Sequence, residues 1–121
     1  MARIRTIKPD LWENPDLGVL SLFARFTFIG LISLADDEGR GLADIRFLMG
    51  RLHPFSPDAE SDQLRAALDE LSKAGGLSPF LVVYKHEGRD YYWLPGFRKH
   101  QRIQKSTASK LPEPPTLDSV R

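Results

Sequence analysis

The stretch FLVVYKHEGRDYYWL, residues 80–94, decides the fold of this chain. Two runs of β-branched and aromatic residues flank a polar turn at Glu87-Gly88, and this pattern predicts a β-hairpin. Pro95-Gly96 then closes the second strand, because proline cannot donate a hydrogen bond to a neighbouring strand. One face of the hairpin's tyrosines and tryptophan is expected to lie on the core of the domain.

Three helices are predicted on the N-terminal side of the hairpin. Ser21 is a good N-cap for the first, LFARFTFIGLISLA, which is apolar around most of its circumference and is expected to be buried on most sides. Asp44 caps a short second helix, IRFLMGRL. Ser61 caps the third, DQLRAALDELSKA, whose leucines follow helical spacing. The piece GRGLA, between the first two helices, is predicted to be a short extended strand.

The order of elements is therefore helix, short strand, helix, helix, hairpin. This is the layout of an α+β winged helix-turn-helix domain, with three helices, a short strand and a C-terminal β-hairpin wing. The domain is predicted to span residues 1–105, including an N-terminal arm with Ile4 and Ile7 docked, its cations outward and Trp12 as anchor. Residues 106–121, STASKLPEPPTLDSVR, are rich in Ser, Thr and Pro and predict a flexible tail.

Charge is distributed unevenly along a chain whose net charge is only +1. Residues 1–9 hold three basic and no acidic residues, and residues 98–110 hold five basic and no acidic residues. Residues 10–97 hold eight basic against fourteen acidic residues. A mildly acidic body with two basic ends is typical of proteins whose arms contact a polyanion, and the alternative is basic ends that only aid solubility.

Several classes of function are disfavoured by what the sequence lacks. It contains no cysteine, which excludes disulfides, thiolate metal sites and cysteine nucleophiles. No apolar stretch is long enough to cross a bilayer, and the first residues do not have the pattern of a signal peptide. No phosphate-binding loop or catalytic triad occurs, and the three histidines are scattered. An enzyme, a cofactor, a metal site and a membrane partner are therefore not expected.

The acidic turn ADDEGR, residues 35–40, is interpreted as the end of the first helix rather than as a metal site. Three adjacent acids at a helix end cannot all face one ion, and no second acidic pair accompanies them. Negative charge is unfavourable at a helix C-terminus. Asp36 or Asp37 is therefore expected to pair with a cation such as Arg40 or with a basic terminus.

Three stretches together resemble a known family. They are RIRTIKPDLW at residues 3–12, SLADDEGRG at 33–41, and PGFRKHQRIQKSTASKLPEPP at 95–115. They resemble small phage and prophage winged-helix DNA-binding proteins, which are similar in layout to the N-terminal domains of replisome organisers and DnaD-like replication initiators. The resemblance implies DNA binding during replication initiation or its regulation, in the cytoplasm of a bacterial host. Longer relatives continue into a second domain that engages replication machinery.

The cations of the two basic ends are the predicted phosphate contacts. Two further cations, Lys85 and Arg89, lie at the expected wing tip, where a polar turn without a ligand is the alternative. The hairpin's aromatic side chains could also stack on bases on their outer face. The predicted phosphate contacts of the two ends are Arg3, Arg5 and Lys8 in the arm, and Arg98, Lys99, Arg102 and Lys105 after the hairpin.

The third helix should enter a DNA groove, because it precedes the wing in this layout. Gln63 and Arg65, near its N-terminus, are the predicted base contacts. The outward face also carries acids, so two alternatives remain: a solvated face with an internal pair such as Arg65–Asp69, or a docking face for a protein partner. The other outward residues are Asp62, Ala66, Glu70 and Lys73.

The segment FRKHQRIQK, residues 97–105, joins the hairpin to the basic C-terminal stretch. Phe97 is expected to be the last residue of the core. His100 and Gln101 are expected to form local hydrogen bonds rather than to read bases. The cations of this segment are expected to face the polyanion.

Three functions stay open on these grounds. The first is DNA binding in phage replication initiation or its regulation, with double-stranded DNA favoured over single-stranded DNA. The second is an adaptor that binds a host or phage replication protein through the acidic third helix. The third is a transcriptional repressor or a recombination accessory factor. A homodimer is a further alternative, since winged-helix proteins commonly dimerise, but no heptad pattern or obvious apolar patch in the sequence fixes it.

Overall fold

The computed structural model describes residues 4–55, 61–75, 78–101, 103 and 105–117. In that part of the chain the fold is α+β, with six helices and one three-stranded antiparallel sheet of order β1-β3-β2. None of the described helices is long and apolar enough to cross a membrane. The helices are α1 (Pro9–Glu13), α2 (Pro15–Gly18), α3 (Leu22–Leu34), α4 (Ile45–Leu52), α5 (Ser61–Lys73) and α6 (Phe97–His100). The strands are β1 (Arg40–Leu42), β2 (Val82–His86) and β3 (Arg89–Trp93).

The predicted caps set the beginnings of two helices. The Ser21 hydroxyl accepts a hydrogen bond from the backbone N–H of Ala24 at 3.1 Å, at the start of α3. The Asp44 carboxylate accepts one from the backbone N–H of Phe47 at 2.9 Å, at the start of α4. Each cap of this type stabilises a helix by about 1 kcal/mol. Helix α5 begins at Ser61, one residue earlier than the sequence predicted.

The predicted hairpin is confirmed, with its turn at Glu87-Gly88. Both turn residues have left-handed backbone conformations, with φ of 51° at Glu87 and 79° at Gly88. Two consecutive positive φ values belong to a type I′ turn, whose twist matches that of the two strands. The register runs from the pair Val82↔Trp93 at the open end to His86↔Arg89 at the turn.

Helix α3 is covered around most of its circumference, as the sequence predicted, because only Leu22, Phe26 and Ser33 among its residues are exposed. Ala24, Thr27 and Leu31 are fully buried, at positions three and four residues apart. Leu22 and Phe26 are 76% and 61% exposed. Helix α3 packs against α5, and Gly30, one turn beyond Phe26, lies close to the side chain of Leu52 in α4.

Tyr92 joins the sheet to α3 at the centre of the core. Its side chain is buried, and its hydroxyl donates a hydrogen bond to the carbonyl oxygen of Leu31 at 2.7 Å. The ring crosses the sheet directly over Gly41, where an added Cβ would lie 2.3 Å from the nearest ring atom. Glycine at this position therefore allows the tyrosine to reach the helix.

The C-terminal tail, residues 106–117 of the described chain, packs on the sheet, whereas the sequence predicted a flexible segment. Tyr84 donates its hydroxyl hydrogen to the carbonyl oxygen of Pro112 at 2.7 Å. The covered face of the sheet is rich in apolar side chains, which would otherwise meet water. The residues in this contact are Leu111 and Leu117 on the tail side and Val82, Tyr84 and Tyr91 on the sheet.

Raising the pH above 10 should loosen the contact between the tail and the sheet. Burial raises the pKa of Tyr84 from 10.0 to about 12, so the folded state favours the neutral phenol that donates to Pro112. The resulting stabilisation is complete below pH 10.0 and is lost as the pH rises to about 12. Tyrosinate absorbance of the protein, recorded against Tyr84→Phe, should place the ionisation of Tyr84 near the upper value. Ionisation of Tyr84 near its ordinary pKa would contradict this.

Candidate nucleic-acid interface

Arg5 of the N-terminal arm points into the protein, contrary to the expectation that the arm's cations face outward. Its guanidinium lies 3.1 Å from the Asp37 carboxylate and donates a hydrogen bond to the carbonyl oxygen of Ala35 at 2.8 Å. It also lies 5.0 Å from the centre of the Phe97 ring. The side chains of Arg5 and Asp37 are both 4% exposed. Arg5 is therefore a structural residue and is not available to a phosphate.

The physical reason for this inversion lies at the C-terminal end of α3. The carbonyl of Ala35 and the carboxylate of Asp37 place negative charge where the helix dipole is also negative, so a cation is favoured there. Ile4, by contrast, is 99% exposed and is not docked. Trp12, the expected anchor, is also exposed. The ion pair between Arg5 and Asp37 confirms the prediction that an acid of this turn pairs with a basic terminus.

The acidic turn also binds the C-terminal tail. Asp37 accepts a hydrogen bond from the backbone N–H of Thr107 at 2.9 Å. The Ser109 hydroxyl donates to Asp36, and its backbone N–H donates to Glu38. The turn therefore uses its carboxylates to hold both ends of the chain. Within the described residues, no group of three or more His, Asp or Glu side chains could hold a metal ion.

Gln101 clamps the N-terminal arm to the segment that follows the hairpin. Its side-chain carbonyl accepts a hydrogen bond from the backbone N–H of Thr6 at 2.9 Å, and its amide donates to the Thr6 carbonyl at 2.9 Å. The side chain therefore satisfies both backbone groups of one residue, as a neighbouring strand would. Gln101 forms hydrogen bonds within the protein as predicted, but with a residue 95 positions away rather than locally. Phe97 is buried in the core as predicted.

Three predicted phosphate contacts lie near this clamp and are exposed: Lys8, Arg98 and Lys99, here called the terminal cluster. Lys8 and Lys99 line the same cavity, so the fold brings together cations that lie far apart in the sequence. Lys105 is exposed as well. The predicted contacts Arg3 and Arg102 lie outside the described residues.

The tip of the hairpin, which is the predicted wing tip, carries exposed cations with acidic residues beside them. Lys85 lies 3.7 Å from Asp90, and Arg89 is exposed on the neighbouring strand. The tip is four residue steps from the open end of the hairpin, or about 14 Å. The structure therefore places the wing tip and the terminal cluster toward opposite ends of the hairpin.

Helix α5 exposes the two predicted base contacts, Gln63 and Arg65. Two of its acidic side chains form contacts within the protein that the sequence did not indicate. Asp69 pairs with Lys73 at 2.9 Å rather than with Arg65, the pair that the sequence offered as an example. Glu70 accepts hydrogen bonds from the backbone N–H of Ser21 at 3.0 Å and from its hydroxyl at 2.8 Å. Glu70 thus supports the start of α3, which leaves the face less acidic than its composition implies.

Two features were missed by the sequence analysis, because both depend on residues distant in the chain. One is a cavity of about 240 Å³ between the arm, α3 and the segment after the hairpin. The other is an apolar patch beside the His53 ring, which stacks on Phe23 with ring centres 4.8 Å apart. Phe26 also lies near this ring, with ring centres 5.9 Å apart, and is 61% exposed. Its neighbours in the sequence, Val19 and Leu22, are exposed, as is Phe55, two residues after His53. The sequence shows these four apolar residues, but it does not show that their side chains are exposed to solvent.

Comparisons of the chain with protein-family models, with curated protein sequences and with solved structures found no match. A functional proposal therefore depends on the residues and their arrangement, together with the sequence resemblance described above.

Proposed function

We propose that this chain is a winged helix-turn-helix DNA-binding protein that acts in phage or prophage replication initiation or its regulation. The observation that carries the proposal is the topology: β1 lies between α3 and α4 in the chain, α5 directly precedes the hairpin, and the sheet order is β1-β3-β2. In winged-helix domains this order leaves the helix before the hairpin exposed beside the wing, so that both reach DNA. The phage and replication context comes from the sequence resemblance.

Affinity in this proposal comes from phosphate contacts on two surfaces. The terminal cluster supplies three cations, and the wing tip supplies Lys85 and Arg89. These side chains carry little sequence information, because phosphates are the same along the duplex. Gln63 and Arg65 on α5 supply the base contacts, where both side chains can form paired hydrogen bonds with purine edges. Arg5 takes no part, since its charge is neutralised inside the fold.

Removing two cations from either surface should weaken binding to all duplexes about equally. The variants are Lys85→Ala with Arg89→Ala, and Arg98→Ala with Lys99→Ala. Each pair should reduce the salt dependence of log K by about 2, one unit for each lost phosphate contact. Fluorescence anisotropy against duplexes of different sequence, over a series of salt concentrations, measures both effects.

The matched control for these variants removes the same charge from α4. Arg46 and Arg51 are exposed there and lie outside the predicted contact set. The double variant Arg46→Ala with Arg51→Ala should keep the salt dependence of the unmodified protein. Equal losses in the control and test variants would show that binding follows net charge alone, and would reject the two surfaces.

An adaptor for a replication protein is the second candidate, and the apolar patch on α3 favours it. Exposed patches of this kind mark protein interaction sites. The surface differs from the one that the sequence suggested, because α5 uses two of its acids internally. A pulldown from host lysate, with and without nuclease, separates the candidates. A partner that survives nuclease, is lost with Phe26→Ser, and accompanies an absence of DNA binding would support the adaptor.

A further inference from the structure

The cavity beneath the N-terminal arm has the size and lining of a small-ligand site. Its volume is about 240 Å³, and apolar cavities of roughly 150 Å³ already bind benzene. Leu11 and Leu17 come from the arm side, and Phe28 comes from α3. Phe80, which precedes the hairpin, packs beside Phe28 with ring centres 5.5 Å apart and the rings tilted by 57°, so the two rings form one aromatic wall. Such a space fits one flat aromatic ring system.

The rim of the cavity is cationic. Lys8 and Lys99 reach it from opposite ends of the chain, and both side chains are exposed. His100 lies on the same rim, and Asp10 is the one acid among the lining residues. A ligand with a flat apolar body and an attached negative charge would therefore match the apolar walls of the cavity and the cationic side chains of its rim.

Polar groups are also available for a ring edge. The side-chain oxygen of Asn14 accepts a hydrogen bond from the backbone N–H of Asp16 at 2.9 Å, and its amide NH₂ makes no hydrogen bond to another described residue. The exposed Ser78 lines the opposite side of the cavity. A nucleobase combines these needs, since it has a flat face, polar edges and a phosphate attached through its sugar.

We propose that this cavity receives one unpaired nucleotide, with its base against Phe28 and Phe80 and its phosphate at Lys8 and Lys99. The inference rests on the proposed DNA-binding function and deepens it, because the terminal cluster, which contacts the phosphates of a duplex, also holds the phosphate of an unpaired nucleotide where the duplex carries an overhang. The terminal cluster lies toward the open end of the hairpin, and the hairpin measures about 14 Å from this end to the wing tip. A strand leaving the duplex would cover this distance.

The test compares three labelled DNA substrates of the same duplex sequence: blunt, with a short single-stranded overhang, and with an overhang of abasic sugars. Overhangs of both polarities are used. The base-containing overhang should bind about tenfold more tightly than the blunt duplex, in the range expected for stacking of one base on aromatic side chains. The abasic overhang should lose this preference, although its phosphates are unchanged.

A pair of variants on the arm locates the effect. Ile7 lines the cavity and is 38% exposed, so Ile7→Trp should fill the mouth without disturbing the core and should bind overhang and blunt duplexes alike. Ile4 lies on the same arm, does not line the cavity and is 99% exposed. Ile4→Trp should keep the preference for the overhang, and equal thermal midpoints for the two variants exclude a folding defect.

The possible results separate the two proposals. Equal affinity for blunt, overhang and abasic DNA would overturn the assignment of the cavity and leave duplex binding intact. Failure to bind any of the three would overturn the proposed function, and this inference with it. A free deoxynucleoside monophosphate that displaces the overhang at equal concentration would assign the cavity to a soluble nucleotide, and would overturn its assignment to DNA.

Discussion

Replacing Arg5 with alanine should lower the free energy of unfolding by about 3–5 kcal/mol, the usual cost of removing one partner of a buried ion pair. The carboxylate of Asp37, which is 4% exposed in the folded protein, would lose its contact with the Arg5 guanidinium. It would keep the hydrogen bond from the backbone N–H of Thr107, which is a smaller compensation. The same change also removes the contact between the guanidinium and the Phe97 ring.

Urea denaturation followed by circular dichroism measures this effect. The matched control is Lys8→Ala, which removes an exposed cation three residues further along the same arm and should stay within about 0.5 kcal/mol of the unmodified protein. Similar, small losses for both variants would contradict the structural role of Arg5. Under conditions where Arg5→Ala is folded, its affinity for DNA should match that of the unmodified protein.

Replacing Gly41 with alanine should destabilise the domain by about 1–3 kcal/mol, the range for overpacking a core. The added methyl group would lie 2.3 Å from the Tyr92 ring. The ring cannot move away cheaply, because it is buried and its hydroxyl is bonded to the carbonyl oxygen of Leu31. The expected result is a lower thermal midpoint together with altered near-ultraviolet dichroism from the displaced tyrosine.

Gly50 provides the control for this substitution. It lies within α4, and a Cβ added there would meet no other atom within 4 Å. Gly50→Ala should stabilise the protein by about 0.5–1 kcal/mol, because alanine is the better helix former. If the two alanine variants shift stability in the same direction, the close approach of Tyr92 to Gly41 is not as described.

The elements that could be predicted from the sequence are those determined by neighbouring residues. The hairpin turn needs two residues of positive φ, and Glu87-Gly88 supplies them. The helix starts at Ser21 and Asp44 depend on a side chain and a backbone N–H three residues away. The clamp by Gln101 was predicted only as local bonding; its partner, Thr6, lies 95 residues away in the chain.

The parts that could not be predicted depend on contacts between distant segments. Alternation in the arm indicated outward cations, but the end of α3 offers Arg5 a carbonyl and a carboxylate at once. The composition of the tail indicated flexibility, because nothing in it shows that the acidic turn binds its backbone N–H groups. The cavity has no sequence signature, since its walls come from four separate stretches of the chain.

The most direct test of the DNA-binding proposal is the salt dependence of duplex binding. About five phosphate contacts, from the terminal cluster and the wing tip, predict a slope of log K against log salt concentration of about −4 to −5. The slope should fall by about 2 units for each of the two double cation variants and stay unchanged for the α4 control. A slope near zero, or no binding to any duplex at low salt, would contradict the account.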